Sequence, residues 1–232
     1  MEIVIILSAV ILIVLLFVLF VKKLALKDNP RLFKLFVNQY SRIDKQRDIQ
    51  QSDIVFTGSS VVKFWKTMEP DLFPFKVINR GIAGAKINEI TYWIDNLVLK
   101  YTPRVVLLYV GSNDIQGKKP RSAVDVFNGF IDFERKVHTQ YPDLPVIFLS
   151  IIPSPAKTRW ENWAEIKKAN NLIGEYCQQK ESLHYIDTTD RFLTEMGLPD
   201  NHYFKKDGIH LNESGYKIWQ SELKPVLKTV VD

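Results

Sequence analysis

Cysteine and glycine are scarce in this sequence, and each scarcity excludes a class of protein. Cys177 is the one cysteine among 232 residues, so no disulfide within the chain can hold the fold together. With only 10 glycines the chain cannot be collagen-like. Hydrophobic residues make up 46% of the chain and charged residues 25%, a mixture too apolar for intrinsic disorder. The composition therefore indicates a folded globular chain.

The sequence also lacks the basic surface that nucleic-acid binding requires. Its net charge is +5, but five basic residues and one acid lie within residues 22–34, and the remainder is close to neutral. No stripe combines basic and aromatic residues as a nucleic-acid surface does. We therefore expect no nucleic-acid partner. The basic stretch follows an apolar run, where it can attract anionic lipid headgroups.

That apolar run is the longest in the chain. Residues 3–21 contain one polar side chain, Ser8, and as a helix they extend about 28 Å, close to the thickness of a bilayer's hydrocarbon core. A buried soluble helix is seldom apolar all round, and the flanks do not match a cleaved signal peptide. We predict a single-pass membrane anchor over residues 1–23. The lysines that follow favour a cytoplasmic domain, but a large trailing domain can be translocated against this rule, so the side stays open.

The rest of the chain divides into a short leading segment and one domain. Residues 24–50 are polar with apolar residues at helical spacing, which predicts a juxtamembrane stalk or a leading helix packed on the domain. Residues 51–232 contain no internal repeat or linker. Five short apolar runs in this domain predict strands buried on both faces: Asp53–Thr57, Lys76–Asn79, Arg104–Val110, Val146–Ser150 and His184–Asp187.

Helical stretches alternate with these strands. They are Val61–Lys66, Ile87–Lys100, Ala123–Thr139, Trp163–Lys180 and Ser214–Val230. Pro225 lies inside the last of them and is expected to kink or end that helix. Strand–helix alternation of this kind predicts a parallel, doubly wound α/β sheet.

Groups able to carry nucleophilic chemistry follow the predicted strands, at the edge where parallel sheets bind ligands. Ser60 lies at a strand-to-helix junction after Gly58, which permits a tight turn. A serine nucleophile needs a base, and His210 is the natural one. Asp207 lies three residues before His210 and can hold the imidazole in the required tautomer.

Acyl transfer also needs hydrogen-bond donors for the oxyanion. The backbone N–H groups of Ser60 and Gly84 and the side-chain amide of Asn113 are the candidates. Trp160, on the loop after a strand, is a candidate for substrate contact. A metal site at His202 and its neighbours lacks the helical His-x-x-x-His pair, so we expect no metal and no organic cofactor.

Four stretches resemble the sequence blocks of the SGNH hydrolases, also called GDSL-type esterases/lipases, over roughly residues 50–225. They are Thr57–Ser60, Asn79–Gly84, Gly111–Asp114 and Asp207–His210. The resemblance implies a flavodoxin-like, three-layer α/β/α sandwich. It also implies that Ser60 is the nucleophile, that His210 and Asp207 activate it, and that Ser60, Gly84 and Asn113 form the oxyanion hole.

The first block departs from the family pattern, which reads Gly-Asp-Ser. Ser59 replaces the aspartate, so two serines stand side by side. Ser60 occupies the third position of the motif and is the predicted nucleophile, whereas Ser59 is expected to be a turn or cap residue.

These residues predict a membrane-anchored serine ester hydrolase whose substrate is an acyl ester of a lipid or an acylated carbohydrate. Two alternatives stay open. One is an O-acetyl esterase or O-acetyltransferase that acts on envelope glycans. The other is a tethered binding domain without turnover, which the presence of Ser60, Asp207 and His210 makes the weaker hypothesis.

Overall fold

The computed structural model describes residues 29–116, 119–156 and 160–231, without the side chains of residues 160 and 161. Five parallel strands form one sheet in the order β2-β1-β3-β4-β5. Their bounds are β1 Ile54–Gly58, β2 Val77–Gly81, β3 Val105–Tyr109, β4 Val146–Leu149 and β5 Leu183–Ile186. This strand order is the flavodoxin-like one. The prediction of a parallel α/β sheet is confirmed.

The strands read as continuous apolar runs because both faces of the sheet are covered. Successive side chains point to opposite faces, so Val106 and Leu108 of β3 join one core while Leu107 joins the other. In β4, Phe148 and Ile147 divide in the same way. Two hydrophobic cores therefore enclose the sheet, and the molecule has three layers.

Helices cover both faces. Their bounds are α1 Lys34–Arg47, α2 Ser60–Lys63, α3 Met68–Asp71, α4 Ile87–Tyr92, α5 Ile94–Leu97, α6 Ser112–Ile115, α7 Ala123–Gln140, α8 Trp160–Cys177 and α9 Glu213–Val231. Helices α1, α4, α5, α7 and α8 contribute to the first core, and α2, α3 and α9 contribute to the second. Short 3₁₀ helices occupy Pro30–Phe33, Leu99–Tyr101, Thr189–Phe192 and Asn201–Tyr203.

Two details of the predicted helices are wrong, and of the kink or end expected at Pro225 only the end is excluded. The helix expected over Ile87–Lys100 is divided into α4, α5 and a 3₁₀ turn, and the Thr91 hydroxyl in α4 donates to the Ile87 carbonyl, a back-bond that bends helices. Helix α8 begins at Trp160, which is therefore helical and not on a loop. Helix α9 runs through Pro225 without ending there.

The predicted anchor over residues 1–23 lies outside the described residues. Within the part of the chain that the structure describes, no helix is both long enough and apolar enough to span a bilayer. The segment that follows the predicted anchor contains α1, and this helix packs on the sheet: Val37 is buried in the first core, with Phe33, Phe36 and Tyr40 packed against it.

Candidate active site

The local fold presents Ser60 at the carboxyl edge of the sheet. Strand β1 ends at Gly58, and Ser60 is the first residue of α2. Gly58 has a φ of +143°, and a Cβ there would lie 1.9 Å from the carbonyl oxygen of Tyr109 on the neighbouring strand. Only glycine fits this position. The close approach of β1 and β3 thereby fixes the turn on which Ser60 stands.

Ser59 occupies the N-cap position of α2, but its side chain makes no capping hydrogen bond. Its hydroxyl oxygen is buried and has no hydrogen-bond partner. Its backbone N–H donates to the Tyr109 carbonyl at 3.0 Å. Ser59 is therefore a residue of the turn at the N-cap position of α2, as expected, although its side chain makes no capping hydrogen bond.

His210 lies between Ser60 and Asp207. Its Nε2 is 2.9 Å from the Ser60 Oγ, and its Nδ1 is 2.7 Å from the Asp207 Oδ2. The other oxygen of Asp207 accepts hydrogen bonds from the backbone N–H groups of Ile209 and His210, at 2.9 and 3.0 Å. The structure thus brings together three side chains that the sequence separates by up to 150 positions.

The charge state of Asp207 fixes the direction of these hydrogen bonds. Partial burial acts to raise its pKa, but hydrogen bonds from the His210 ring and from the backbone N–H groups of His210 and Ile209 lower the pKa to about 2. The ionised carboxylate only accepts, so the Nδ1 of His210 carries the proton. In the neutral imidazole, Nε2 is then the acceptor for the Ser60 hydroxyl proton.

Aromatic contact holds the imidazole from the side. The ring of Phe64, one turn beyond Ser60, meets the His210 ring edge to face at 4.8 Å between centroids. Asp207 remains 45% exposed and His210 19% exposed, so water reaches the site.

Helix α6 and the loop that contains Gly84 supply candidate donors for an oxyanion. Asn113, in α6, borders the same cavity as Ser60. Its side-chain amide donates to the Ala85 carbonyl at 3.1 Å, which ties it to the loop that contains Gly84. Gly84 has a φ of +80°, is exposed, and does not border that cavity. The structure therefore joins Asn113 to Ser60 through a shared cavity, and Gly84 to Asn113 through Ala85.

The cavity beside Ser60 is small, and both polar and apolar side chains line it. Its free volume is about 10 Å³, measured as room for the centre of a water-sized sphere. The nine residues that line it are Ser60, Val61, Tyr109, Ser112, Asn113, Gln116, Ile152, Ser154 and Ile209. Such a volume holds about one water molecule.

Sequence reasoning missed several of these lining residues. Tyr109 was expected to be core, and it is buried, but it also forms part of the cavity wall. Ser154 lies on the loop after β4, at the carboxyl edge of the sheet. That position could have predicted it as a residue of the site. The side chain of Trp160 lies outside the described residues, so its substrate contact stays a prediction. Among the described residues, no three His, Cys, Asp or Glu side chains cluster as a metal site requires.

A hydroxyl, an imidazole and a carboxylate in hydrogen-bonded series, at the carboxyl edge of a flavodoxin-like sheet, define an α/β protein with a serine-hydrolase type of site. The family model for GDSL-like lipases/acylhydrolases matches residues 58–218. The chain belongs to this family, which confirms the resemblance found in the sequence. It is thereby a carboxylic ester hydrolase.

Individual relatives are distant. The chain is 24% identical over 188 residues to platelet-activating factor acetylhydrolase IB subunit alpha2 from Gallus gallus, covering 78% of each chain. A GDSL-like lipase from Bacteroides thetaiotaomicron superposes with a TM-score of 0.68 at 19% identity, covering 83% of this chain and 97% of that one. An acetyl esterase mutant crystallised with acetate superposes with a TM-score of 0.60 at 18% identity, covering 77% and 97%. These structural likenesses show a shared fold.

Proposed function

We propose that this protein cleaves acyl esters with Ser60 as the nucleophile, His210 as the general base and Asp207 as its partner. The observation that carries the proposal is the unbroken series of hydrogen bonds from the Ser60 hydroxyl through the His210 ring to Asp207. The Ser60 oxygen attacks the ester carbonyl while its proton passes to Nε2 of His210. Asp207 stabilises the imidazolium that forms.

The remaining steps use the same groups. The oxyanion forms beside the backbone N–H of Ser60 and the Asn113 amide, with Gly84 as the third proposed donor. The tetrahedral adduct collapses, the alcohol leaves with the proton from His210, and an acyl-serine remains. Water then attacks the acyl-serine and gives a proton to His210; as the tetrahedral adduct collapses, His210 returns that proton to the Ser60 oxygen and the carboxylic acid leaves. The partial exposure of His210 and Asp207 supports water as the acceptor.

Substitution of each serine tests the assignment. We expect Ser60→Ala to lose hydrolysis of p-nitrophenyl acetate by at least about 10³-fold and to lose labelling by a fluorophosphonate, because no nucleophile remains. Ser59→Ala is the matched control and should keep both, since the Ser59 hydroxyl makes no hydrogen bond to His210. Full activity of Ser60→Ala would refute the proposal, and loss confined to Ser59→Ala would move the nucleophile by one residue.

We further propose that the acyl group is short, with acetyl as the preferred one. The cavity beside Ser60 and Asn113 has room for about one water-sized group, which suits a methyl and not an alkyl chain. A longer acyl chain would also place methylene groups against the hydroxyl and amide groups of the lining, to which it offers no hydrogen bond. The names of the Gallus gallus acetylhydrolase and of the acetyl esterase are consistent with this chemistry.

A series of p-nitrophenyl esters measures this preference. We expect kcat/KM for the acetate to exceed that for the octanoate by about 100-fold or more, since single methylenes change kcat/KM by tenfold or more in tight pockets. Ile152→Ala, which enlarges the cavity, should raise the butyrate-to-acetate ratio about tenfold. Leu149→Ala removes a similar volume from the same core without bordering the cavity and should leave the ratio unchanged. Equal rates for acetate and octanoate would contradict the short-acyl proposal alone.

The remaining hypotheses differ in the alcohol part of the substrate, which is either a glycan or a lipid. An O-acetylated envelope glycan and an acetylated lipid both fit a short acyl pocket. An assay that offers both substrates to the protein shows which of them is cleaved. Release of free acetate supports hydrolysis, and an acetylated sugar product supports transfer. Binding without turnover would revive the tethered binding domain, against which the complete Ser60–His210–Asp207 series argues.

We also propose that residues 3–21 anchor the protein in a membrane, because the run is apolar over a length that fits a bilayer. The full chain should sediment with membranes and resist carbonate extraction, while a chain that begins at residue 29 should not. Protease accessibility of the catalytic domain in intact cells decides the side, for which the charge rule favours the cytoplasm.

A further inference from the structure

Helix α1 is joined to the end of β2 by a buried polar network. Asp44 of α1 forms an ion pair with Arg80 of β2, and both side chains are less than one-tenth exposed. Asp44 also accepts hydrogen bonds from the Tyr101 hydroxyl at 2.6 Å and from the Lys100 ammonium at 2.7 Å. The guanidinium of Arg80 donates to the Tyr101 hydroxyl through Nε at 2.7 Å.

Tyr40, one turn before Asp44 on α1, extends this network to the backbone. Its ring and that of Tyr101 both lie against the Arg80 guanidinium, at 4.9 and 4.7 Å. Its hydroxyl donates to the carbonyl oxygen of Gly81, the last residue of β2. Burial raises the pKa of Tyr40 to about 12, against the opposing charge of Arg80, so its hydroxyl keeps its proton and remains a donor.

The residues held in this way lie between the nucleophile and the oxyanion loop. The Arg80 carbonyl accepts from the Thr57 hydroxyl at 3.1 Å, and the N–H of Ile82 donates to the Gly58 carbonyl at 2.8 Å. Thr57 and Gly58 lead into Ser60, and Ile82 leads into Gly84. Strand β2 is an edge strand of the sheet, and among the described residues no strand pairs with its outer side.

We infer that Tyr40 and Asp44 are positioning residues for the proposed reaction, which hold the Arg80–Gly81 end of β2 so that the loop Ile82–Gly84 faces the oxyanion. This inference rests on the proposed function. Neither residue borders the cavity at Ser60. Their effect reaches the reaction through the place of the oxyanion donors, where an error of about 1 Å costs up to 100-fold in rate.

The full chain carrying Tyr40→Phe removes one hydroxyl and keeps the ring against Arg80. We expect kcat for p-nitrophenyl acetate to fall about tenfold with KM within about twofold, because the oxyanion develops only after substrate has bound. The rate of inactivation by a fluorophosphonate should fall in parallel, since its phosphoryl oxygen needs the same donors. Tyr141→Phe is the matched control: it removes a hydroxyl that also donates to a backbone carbonyl, that of Leu99.

Asp44→Asn has an equally close control in Glu134→Gln. Glu134 is a buried carboxylate on α7 that accepts from the Tyr176 hydroxyl, the Lys180 ammonium and His138, all on or next to α7 and α8. Both substitutions remove a buried charge and lower the melting temperature. Well below that temperature, only Asp44→Asn should lower kcat, by about 10- to 100-fold, and Asp44→Glu should restore part of it.

The outcomes separate this inference from the proposed function. Retained activity in Ser60→Ala defeats the function itself. Ser60-dependent activity with kcat unchanged in folded Tyr40→Phe defeats only the positioning role. Equal losses of kcat in Asp44→Asn and Glu134→Gln would also overturn it, because they would show a general effect of stability.

Discussion

At the scale of single residues, a hydrogen bond to the Ala85 carbonyl holds the side chain of Asn113, the proposed oxyanion donor, in place before any substrate binds. One of its two amide N–H groups is directed to the Ala85 carbonyl, which fixes the orientation of the amide. Asn113 also borders the cavity at Ser60. A donor held in this way requires no reorganisation when the oxyanion forms, and this is the source of most oxyanion-hole catalysis.

Replacement of Asn113 measures that contribution. We expect Asn113→Ala to lower kcat for p-nitrophenyl acetate by about 10²–10³-fold, equivalent to roughly 3–4 kcal/mol of transition-state stabilisation. Asn113→Asp should be at least as damaging, because its negative charge opposes the oxyanion. Asn128→Ala, an exposed asparagine of α7, is the control and should keep full activity. A loss of less than threefold in folded Asn113→Ala would remove Asn113 from the oxyanion hole.

At the residue level, the sequence predicted which side chains meet where chemistry and position coincide, while their catalytic roles stay a prediction. Ser60, Asp207 and His210 follow strands or precede the last helix, so their meeting at one sheet edge could be expected. Asp44 and Arg80 could not be paired in this way. They are 36 positions apart, and an aspartate in a polar helical segment is usually exposed. Only the packing of α1 on the sheet shows that Asp44 is buried.

At the scale of secondary-structure elements, a buried carboxylate joins α6, which contains Asn113, to the start of α4, which follows the loop of Gly84. Asp114 of α6 is fully buried and accepts the backbone N–H of Ile87, the first residue of α4, at 3.2 Å. Arg121 lies 3.4 Å from the same carboxylate. Burial raises the pKa of Asp114 to about 7, although Arg121 and the Ile87 N–H both act to lower it.

The raised pKa makes the stability of this junction depend on pH. Between the ordinary pKa of 3.8 and about 7, Asp114 binds a proton in the folded protein and not in the unfolded chain, so its contribution to folding falls as the pH rises. We expect the unfolding free energy of Asp114→Asn, relative to the natural protein, to increase by roughly 2–3 kcal/mol from pH 5 to pH 8. Urea unfolding at the two pH values measures it.

Asp132→Asn provides the matched control for this experiment. Asp132 lies on the solvent side of α7 in an exposed pair with Arg135. Its substitution should change stability by the same small amount at both pH values. A pH-independent difference for Asp114→Asn as well would show that the carboxyl of Asp114 stays ionised in the folded protein.

Element prediction was accurate for strands and less so for helix bounds. Each predicted strand lies within two residues of the observed one, because buried apolar runs bounded by turn residues have few alternatives. The division after α4 depends on a hydrogen bond from Thr91 to Ile87 and on Trp93, whose ring N–H donates to the Pro30 carbonyl at 2.7 Å. Trp93 and Pro30 are 63 positions apart, so the sequence around Trp93 does not indicate this hydrogen bond.

At the scale of the whole molecule, α1 belongs to the same folded unit as the catalytic loops. It covers the outer part of the sheet next to β2, contributes Val37 to the first core, and supplies the buried partner of Arg80. Removal of one partner from a buried ion pair commonly costs about 3–5 kcal/mol, because the remaining charge is left without compensation. We therefore expect the protein's stability to depend on α1, which lies before the first strand.

Two shortened chains test this dependence. A chain that begins at residue 29 keeps α1 with its contacts, and we expect it to hydrolyse p-nitrophenyl acetate with the kcat/KM of the full chain. A chain that begins at residue 49 loses all of α1, including Val37, Tyr40 and Asp44. The part of the first core that Val37 covers becomes exposed, and Arg80 loses its ion pair with Asp44. We expect it to unfold at least 10 °C lower, since about 3–5 kcal/mol shifts the midpoint of a domain of this size by roughly that amount. Thermal unfolding monitored by circular dichroism gives both midpoints. Equal midpoints for the two chains would show that α1 is an appendage and would separate it from the site at Ser60.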